Sequence, residues 1–240
     1  MNKNGVFRGL IFDFNGVLFW DDDLQRKSWR QFAARLRDDL LTDAEIDIHI
    51  HGRNGQHSLE YLLGHPISQA EADELTEQKE IIYRQMCLGL GKDFKLSPGA
   101  AELLSALVNH KIPHTIATAS EKNNVDFFVQ HLGLDTWFDL EKIVYDDGHT
   151  PGKPAPDLYL QAARNLNLDP GECVVIEDSH SGIQAAHNAS IGHVIALGPP
   201  ATLENLAQIQ GVNQVILNLS QVRVEALFLK PYPERSPAHD

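Results

Sequence analysis

Cysteine is scarce in this chain: Cys87 and Cys173 are the only two among 240 residues. Two thiols are too few for a disulfide framework, and these two lack the paired spacing of a zinc site. Cys173 lies in an apolar run and reads as a small core residue rather than a nucleophile. Positive charge is short as well. Lys and Arg number 20 against 33 Asp and Glu, a formal net charge of −13 with the acidic residues spread along the whole chain. That argues against a nucleic-acid partner, which needs a basic patch to displace counterions. It does not exclude an anionic substrate, because a few local cations and a bound metal reverse the sign inside a site. Long apolar runs are missing too. No stretch approaches transmembrane length and residues 1–5 hold no signal-type apolar segment, so a cytoplasmic enzyme without a membrane partner is expected. The oligomeric state is left open. What is present is ordinary for a globular chain: 42% hydrophobic residues, in a length that holds one sizeable domain or a domain with an insertion.

Near the N-terminus, an apolar run from Val6 to Phe12 reads as a buried strand ending on Asp13, with Gly16 letting the chain turn away. A carboxylate at the C-terminal end of a central strand sits where open α/β sheets bind ligands. It can hold a metal, attack a phosphoryl group, or serve as a turn or N-cap residue. The following stretch, about Asp21 to Gly91, carries only helical patterning. Helices are expected over Leu24 to Leu41, over Thr42 to Ile50 with Thr42 as N-cap, and through Leu59, Leu62 and Leu63. A further helix runs from Ser68 to about Leu90, opened by a capping-box pattern, Ser68 to Glu71. Gly52 to Gly55 reads as a loop. From Ser97, taken as an N-cap, strands and helices alternate. Strands are expected at His114–Ala117, Ile143–Tyr145, Val174–Ile176, Ile191–Leu197 and Gln214–Leu219. The class is therefore α/β: a Rossmann-like parallel sheet with helices on both faces, plus a small all-α cap inserted after the first strand. The core takes residues 1–19 and 92–229, the cap 20–91, and a Pro-rich charged tail 230–240.

Four polar clusters stand at strand ends or in the loops after them: Asp13-Phe14-Asn15, Thr118-Ala119-Ser120, Gly152 to Asp157 around Lys153, and Glu177-Asp178-Ser179. A parallel sheet opens all its strand C-termini at one edge, so these groups can converge. They supply acidic oxygens, a hydroxyl with backbone N–H groups, and one ammonium, a set that suits a phosphoryl group. Asp13, Glu177 and Asp178 would repel one another without a cation, and Mg2+ suits oxygen ligands of this kind.

These four motifs, in this order, resemble the haloacid dehalogenase superfamily, in the subfamily similar to β-phosphoglucomutase and its related phosphatases. The likeness spans roughly Val6 to Leu197. It implies that Asp13 forms an aspartyl-phosphate, that Thr118 and Lys153 bind the transferring phosphoryl group, and that Ala119 and Ser120 lie beside it. It also implies a Mg2+ held by Asp13, the Asn15 carbonyl and Asp178, with Glu177 bound directly or through water. The implied substrate is a small phosphorylated metabolite, a sugar phosphate among them.

Two departures bear on mechanism. The family places an Asp, acting as general acid and base, where this chain has Asn15, and an amide exchanges no proton at useful pH. Three accounts stay open: slow turnover or turnover restricted to good leaving groups, a proton taken over by another group such as a cap residue or His180, or an engineered Asn15 or phosphate binding without turnover. In the cap, Trp20, Gln25 and Gly55 stand where the mutase-like pattern has an acidic residue, a His and a phosphate-clamping Arg. Arg53 is the one nearby cation, and a phosphatase is favoured over a mutase. The cap histidines His49, His51, His57 and His65 read as surface residues, Ser120 as an N-cap or a substrate contact, and Asp21 to Asp23 as a solvated linker and helix start.

Overall fold

The computed structural model describes residues 6–51, 53 and 55–229. The first five residues, the tail from Lys230, and Gly52 and Asn54 of the expected cap loop lie outside the described residues. Six strands form one parallel sheet: β1 (Gly9–Phe12), β2 (His114–Glu121), β3 (Val144–Asp146), β4 (Cys173–Glu177), β5 (His193–Leu197) and β6 (Val212–Ile216), in the order β3-β2-β1-β4-β5-β6. The order reverses between β1 and β4, and at such a switch point the crevice outside the strand C-termini is open to a ligand.

Successive strand residues face opposite sides of the sheet, and here that alternation sorts the core in two. Leu10, Phe12, Val174, Ile176, Ile195 and Leu197 point to one face. There they meet α5 (Ala100–Asn109), α6 (Lys122–Leu132) and α10 (Val224–Phe228) through Leu104, Phe128 and Phe228. Ile11, Cys173, Val175, Val194 and Ala196 point to the other, against α7 (Asp157–Asn165), α8 (His180–Asn188) and α9 (Leu203–Ala207). Cys173 is fully buried, and burial pushes its thiol up to about 12, in keeping with a packing residue.

Between β1 and β2 lie four helices with an apolar cluster of their own: α1 (Asp22–Ala33), α2 (Asp43–His49), α3 (Gly55–Leu63) and α4 (Gln69–Gly89). Trp29, Phe32, Ile46, Leu59, Leu62 and Ile82 meet there. Thr42 caps α2 in a reciprocal box with Glu45, and the Ser68 hydroxyl accepts from the Glu71 amide at the start of α4.

Several boundaries differ from the sequence reading. α1 stops at Ala33 rather than Leu41. A helix continued to Leu41 would carry that residue roughly 12 Å past Ala33; instead the chain turns back, Leu41 joins the cap cluster, and its carbonyl accepts from Arg30 Nε at 3.2 Å. β1 starts at Gly9 because the Phe7 and Arg8 amides donate to the Leu227 and Glu172 carbonyls instead of to a neighbouring strand. Ser97 does not cap α5. Its hydroxyl donates to the Val17 carbonyl at 2.6 Å, and Gly99 holds the cap position. The five-residue α10 has no counterpart in the sequence reading.

Where the cap meets the core, Glu121 at the end of β2 faces four other acids: Glu80, Asp146, Asp73 and Glu77. Burial, and then this like charge, pushes its carboxyl up to about 7. Two outcomes follow for stability. Leu59→Ala empties a fully buried position in the cap cluster and should cost about 3 kcal/mol in urea unfolding. Between 4.5 and about 7 the native Glu121 keeps a proton that the unfolded chain has released, so stability falls as pH rises through that window. Glu121→Gln should therefore raise Tm by a few degrees at about pH 8 and leave it unchanged near pH 4, read by thermal unfolding at both values.

Candidate active site

Phe12 pairs in register with Ile176, so Asp13 and Glu177 leave adjacent strands at the same level. The Asp13 amide donates to the Ile176 carbonyl at 3.0 Å, holding the residue to the strand end. Between the two carboxylates lies the Lys153 ammonium, which donates to Asp13 Oδ1 and to Glu177 Oε1, both at 2.5 Å. Its carrier loop runs from β3 to α7, and Tyr159 of α7 brings its ring within 5.1 Å of the ammonium. Burial works against the charge on Lys153, yet Asp13 and Glu177 together hold its pKa well above the ordinary value. Burial raises the Asp13 carboxyl, with Glu177 and Asp178 adding to the effect and Lys153 opposing it.

Glu177 is wholly enclosed by donors. Lys153 and Tyr159 reach Oε1, while the Asp178 and Ser179 amides and the Ser179 hydroxyl reach Oε2, the last three within 2.9 Å. Burial pushes its carboxyl up, but Lys153 and Ser179 outweigh that and its pKa is lowered. The start of α8 lies so close that a Cβ on Gly182 would fall 1.7 Å from Glu177 Oε1. Gly16 meets the same demand on the other side. It has φ +79°, and a Cβ there would stand 1.9 Å from Asp178 Oδ2.

Ligand oxygens of Asp13, Glu177 and Asp178 lie within 4.8 Å of one another. With Glu177 committed to five donors, Asp13 and Asp178 are the carboxylates left to face a cation. Lys153 bonds only Oδ1 of Asp13, and the partner of Asp178 from the cap is His51, Nε2 to Oδ2 at 3.5 Å. Burial works against a charge on His51, but Asp178 holds its pKa up at about 9. Hard carboxylate oxygens with surplus negative charge fit a small divalent cation.

A cleft opens over these groups, lined by core and cap together. Asp13, Asn15, Thr118, Ala119, Ser120, Lys153, Glu177, Asp178 and Arg53 all line it. Thr118 is buried, its Oγ1 accepting from the Ser120 amide at 3.1 Å. Arg53 has no ion pair among the described residues. His180 stands apart: it is the exposed first residue of α8 and is not part of the lining.

Other expectations need correcting. Ser120 does not cap α6, whose cap position is Glu121; its hydroxyl donates to Asn15 Oδ1 at 2.7 Å. Asp21 is no solvated linker residue, being 2% exposed and part of the cleft. His51, its side chain still 37% exposed, also reaches the Asp178 carboxylate. Sequence reading also missed Thr76, Lys79, Glu80 and Tyr83, which bring polar atoms to the cap side together with Gln25. On α4 the buried positions Ala72, Thr76, Lys79, Glu80, Tyr83 and Cys87 recur at helical spacing. A search for apolar periodicity passes over such a stripe because half of it is charged or polar.

Comparison with known proteins supplies a family. The family model for haloacid dehalogenase-like hydrolases matches residues 7–190. The β-phosphoglucomutase of Bacillus subtilis (strain 168) is 28% identical over 226 residues, covering 92% of this chain and 93% of that protein. Hexitol phosphatase A of Escherichia coli (strain K12) is 30% identical over 217 residues, covering 90% and 94%. Among solved structures, a family IA, variant 3 hydrolase of the same superfamily from Entamoeba histolytica superposes with a TM-score of 0.81. It is 37% identical, covering 91% of this chain and 96% of that one. A parallel sheet with a helical insertion after its first strand, carboxylates gathered at its switch point and a family model spanning most of the sequence lead to one assignment: the chain belongs to the haloacid dehalogenase-like hydrolases.

Proposed function

We propose that the chain is a Mg2+-dependent phosphatase of small phosphorylated carbohydrates, acting through an aspartyl-phosphate on Asp13. The observation that carries this reading is the Asp13 carboxylate, pinned at one oxygen by a buried ammonium and lining a cleft that core and cap share. Relatives that cover nearly the whole chain, a hexitol phosphatase and a β-phosphoglucomutase, support the substrate class.

In this reading residues 20–91 form the cap that closes over a core of 1–19 and 92–229. A carboxylate oxygen of Asp13 attacks phosphorus while the bond to the leaving oxygen breaks. That oxygen keeps the electron pair and takes a proton from solvent. Water then attacks the phosphorus of the aspartyl-phosphate, the Asp13–phosphorus bond breaks, and inorganic phosphate leaves. Lys153 holds Asp13 in place and offsets charge on the phosphoryl group, and the Thr118 hydroxyl donates to one of its oxygens. Asp13, Asp178 and the Asn15 carbonyl would hold the Mg2+, which when bound neutralises charge on the phosphoryl oxygens. Glu177 serves by orienting Lys153 and the Asp178 backbone, its own oxygens being occupied. Arg53 is available to a second anion on the substrate. That position also supports the alternative, a mutase, in which the same phosphoenzyme returns its phosphoryl group to a sugar.

Asn15 shapes the substrate preference. General acid–base help is worth roughly 10²–10⁴-fold, and the Asn15 amide supplies none. Acyl and anomeric phosphates, whose leaving groups depart without protonation, should therefore be hydrolysed faster than a hexitol phosphate by a comparable factor. Comparing kcat/KM across such a panel, which reports the transfer from substrate to Asp13 and not the shared hydrolysis that follows, checks this, and equal values would contradict it. In the same assay Asp13→Asn should reduce phosphate release to background. A chelator should do likewise, with Mg2+ restoring activity. Release that persists in Asp13→Asn would sink the aspartyl-phosphate, and product that is isomerised rather than dephosphorylated would favour the mutase.

A further inference from the structure

Asn15 has every polar atom of its side chain engaged. Nδ2 donates to Asp21 Oδ2 at 2.7 Å and to the Tyr83 hydroxyl at 3.2 Å, while Oδ1 accepts from the Ser120 hydroxyl at 2.7 Å. Turning the amide over would set its oxygen against a carboxylate, so the orientation is fixed. Asp21 in turn accepts from four groups: Asn15, Gln25 and Tyr83 at Oδ2, and the Gly16 amide at Oδ1, all within 3.1 Å. None of these donors is charged. The nearest ammonium in the chain of bonds, Lys79, touches Gln25 Oε1 at 2.7 Å and not Asp21.

A buried carboxylate with no cation in contact is costly, and apolar packing would hold two elements together at less expense. Asp21 also occupies the N-cap position of α1 yet makes no capping bond with its side chain. Its carboxylate has turned from the helix toward the residue that stands two places after Asp13. A carboxylate at position 15 would set two anionic oxygens about 2.7 Å apart, close enough that both could not remain charged there. The amide at 15 and the acid at 21 therefore specify each other.

We propose that Asn15 and Asp21 are a matched amide–carboxylate pair, in which Asp21 is a positioning residue that fixes the loop after Asp13 against the cap. The pair joins four segments: the Asp13 loop, α1 through Gln25, α4 through Tyr83 and β2 through Ser120. Its catalytic part rests on the phosphatase reading; its structural part does not.

A double-mutant cycle tests both, using the full chain with Asn15→Asp, Asp21→Asn and the two together. In urea unfolding each single variant should lose stability and the exchange should regain most of it. In phosphate release with the best substrate of the panel, Asp21→Asn should lower kcat by roughly 10- to 100-fold at little change in KM, as a misplaced loop does. The exchange should be at least ~10-fold more active than the two single effects, multiplied together, would give. Tyr83→Phe, a milder change that keeps the ring, should also lower kcat rather than raise KM, and it serves if a charged variant does not fold. Additive losses in unfolding, or Asn15→Asp alone as stable as the unaltered chain, would overturn the pair. A kcat unmoved by Asp21→Asn and by Tyr83→Phe would overturn the positioning role. If no protein in the set releases phosphate, the phosphatase reading and the positioning role fall together, while unfolding still decides the pair.

Discussion

The Lys153 ammonium is almost wholly out of solvent and lies between two carboxylates, Asp13 and Glu177, each 2.5 Å away. Much of the site hangs on that contact. One ammonium cannot neutralise Asp13, Glu177 and Asp178 together. The chain answers by giving Glu177 four further hydrogen bonds from Tyr159, Asp178 and Ser179, so that one acid is satisfied by protein alone. The surplus charge then falls on Asp13 and Asp178, the two that face the cleft. Selectivity among three similar carboxylates is thus set by their hydrogen-bond partners, not by residue type.

The cap side works by a different logic. α4 presents Thr76, Lys79, Glu80 and Tyr83 to the interior and keeps Ile82 for the cap cluster. Lys79 lies 4.8 Å from the Trp29 ring and 5.1 Å from that of Tyr83, and it also bonds Glu80, whose other oxygen accepts from Asn124 of α6. Polar groups packed this way are tied to one geometry, since each lost partner leaves a buried group unsatisfied. Through Asn124 and Tyr83 the same helix is bonded to both the core and the Asp13 loop.

The sheet was legible because β1, β4 and β5 are short apolar runs bounded by polar residues, and strand ends in a parallel sheet fall at one edge. Asp13, Thr118, Lys153, Glu177 and Asp178 stand out on that basis, and all five line the cleft. Legibility failed where a side chain's environment is made by residues far along the chain. Asp21 reads as one of three consecutive acids, and nothing local says that Asn15, Gln25 and Tyr83 will surround it. His51 looks like any cap histidine until the fold brings Asp178 to it. Ser120 precedes a helix and so suggests a cap, but its hydroxyl is claimed by Asn15, 105 residues away.

That separation has a consequence for how the molecule assembles. Lys153 meets Asp13 across 140 residues of chain, and the pairing of β1 with β4 brings Glu177 to the same place. Contacts so distant in sequence reward the chain only after a large loop has closed. Until β1 and β4 are side by side, Lys153 and its carboxylates have no reason to leave water. The reactive constellation therefore cannot exist on a fragment or on a half-formed sheet. Its appearance requires the joining of the two halves of the sheet.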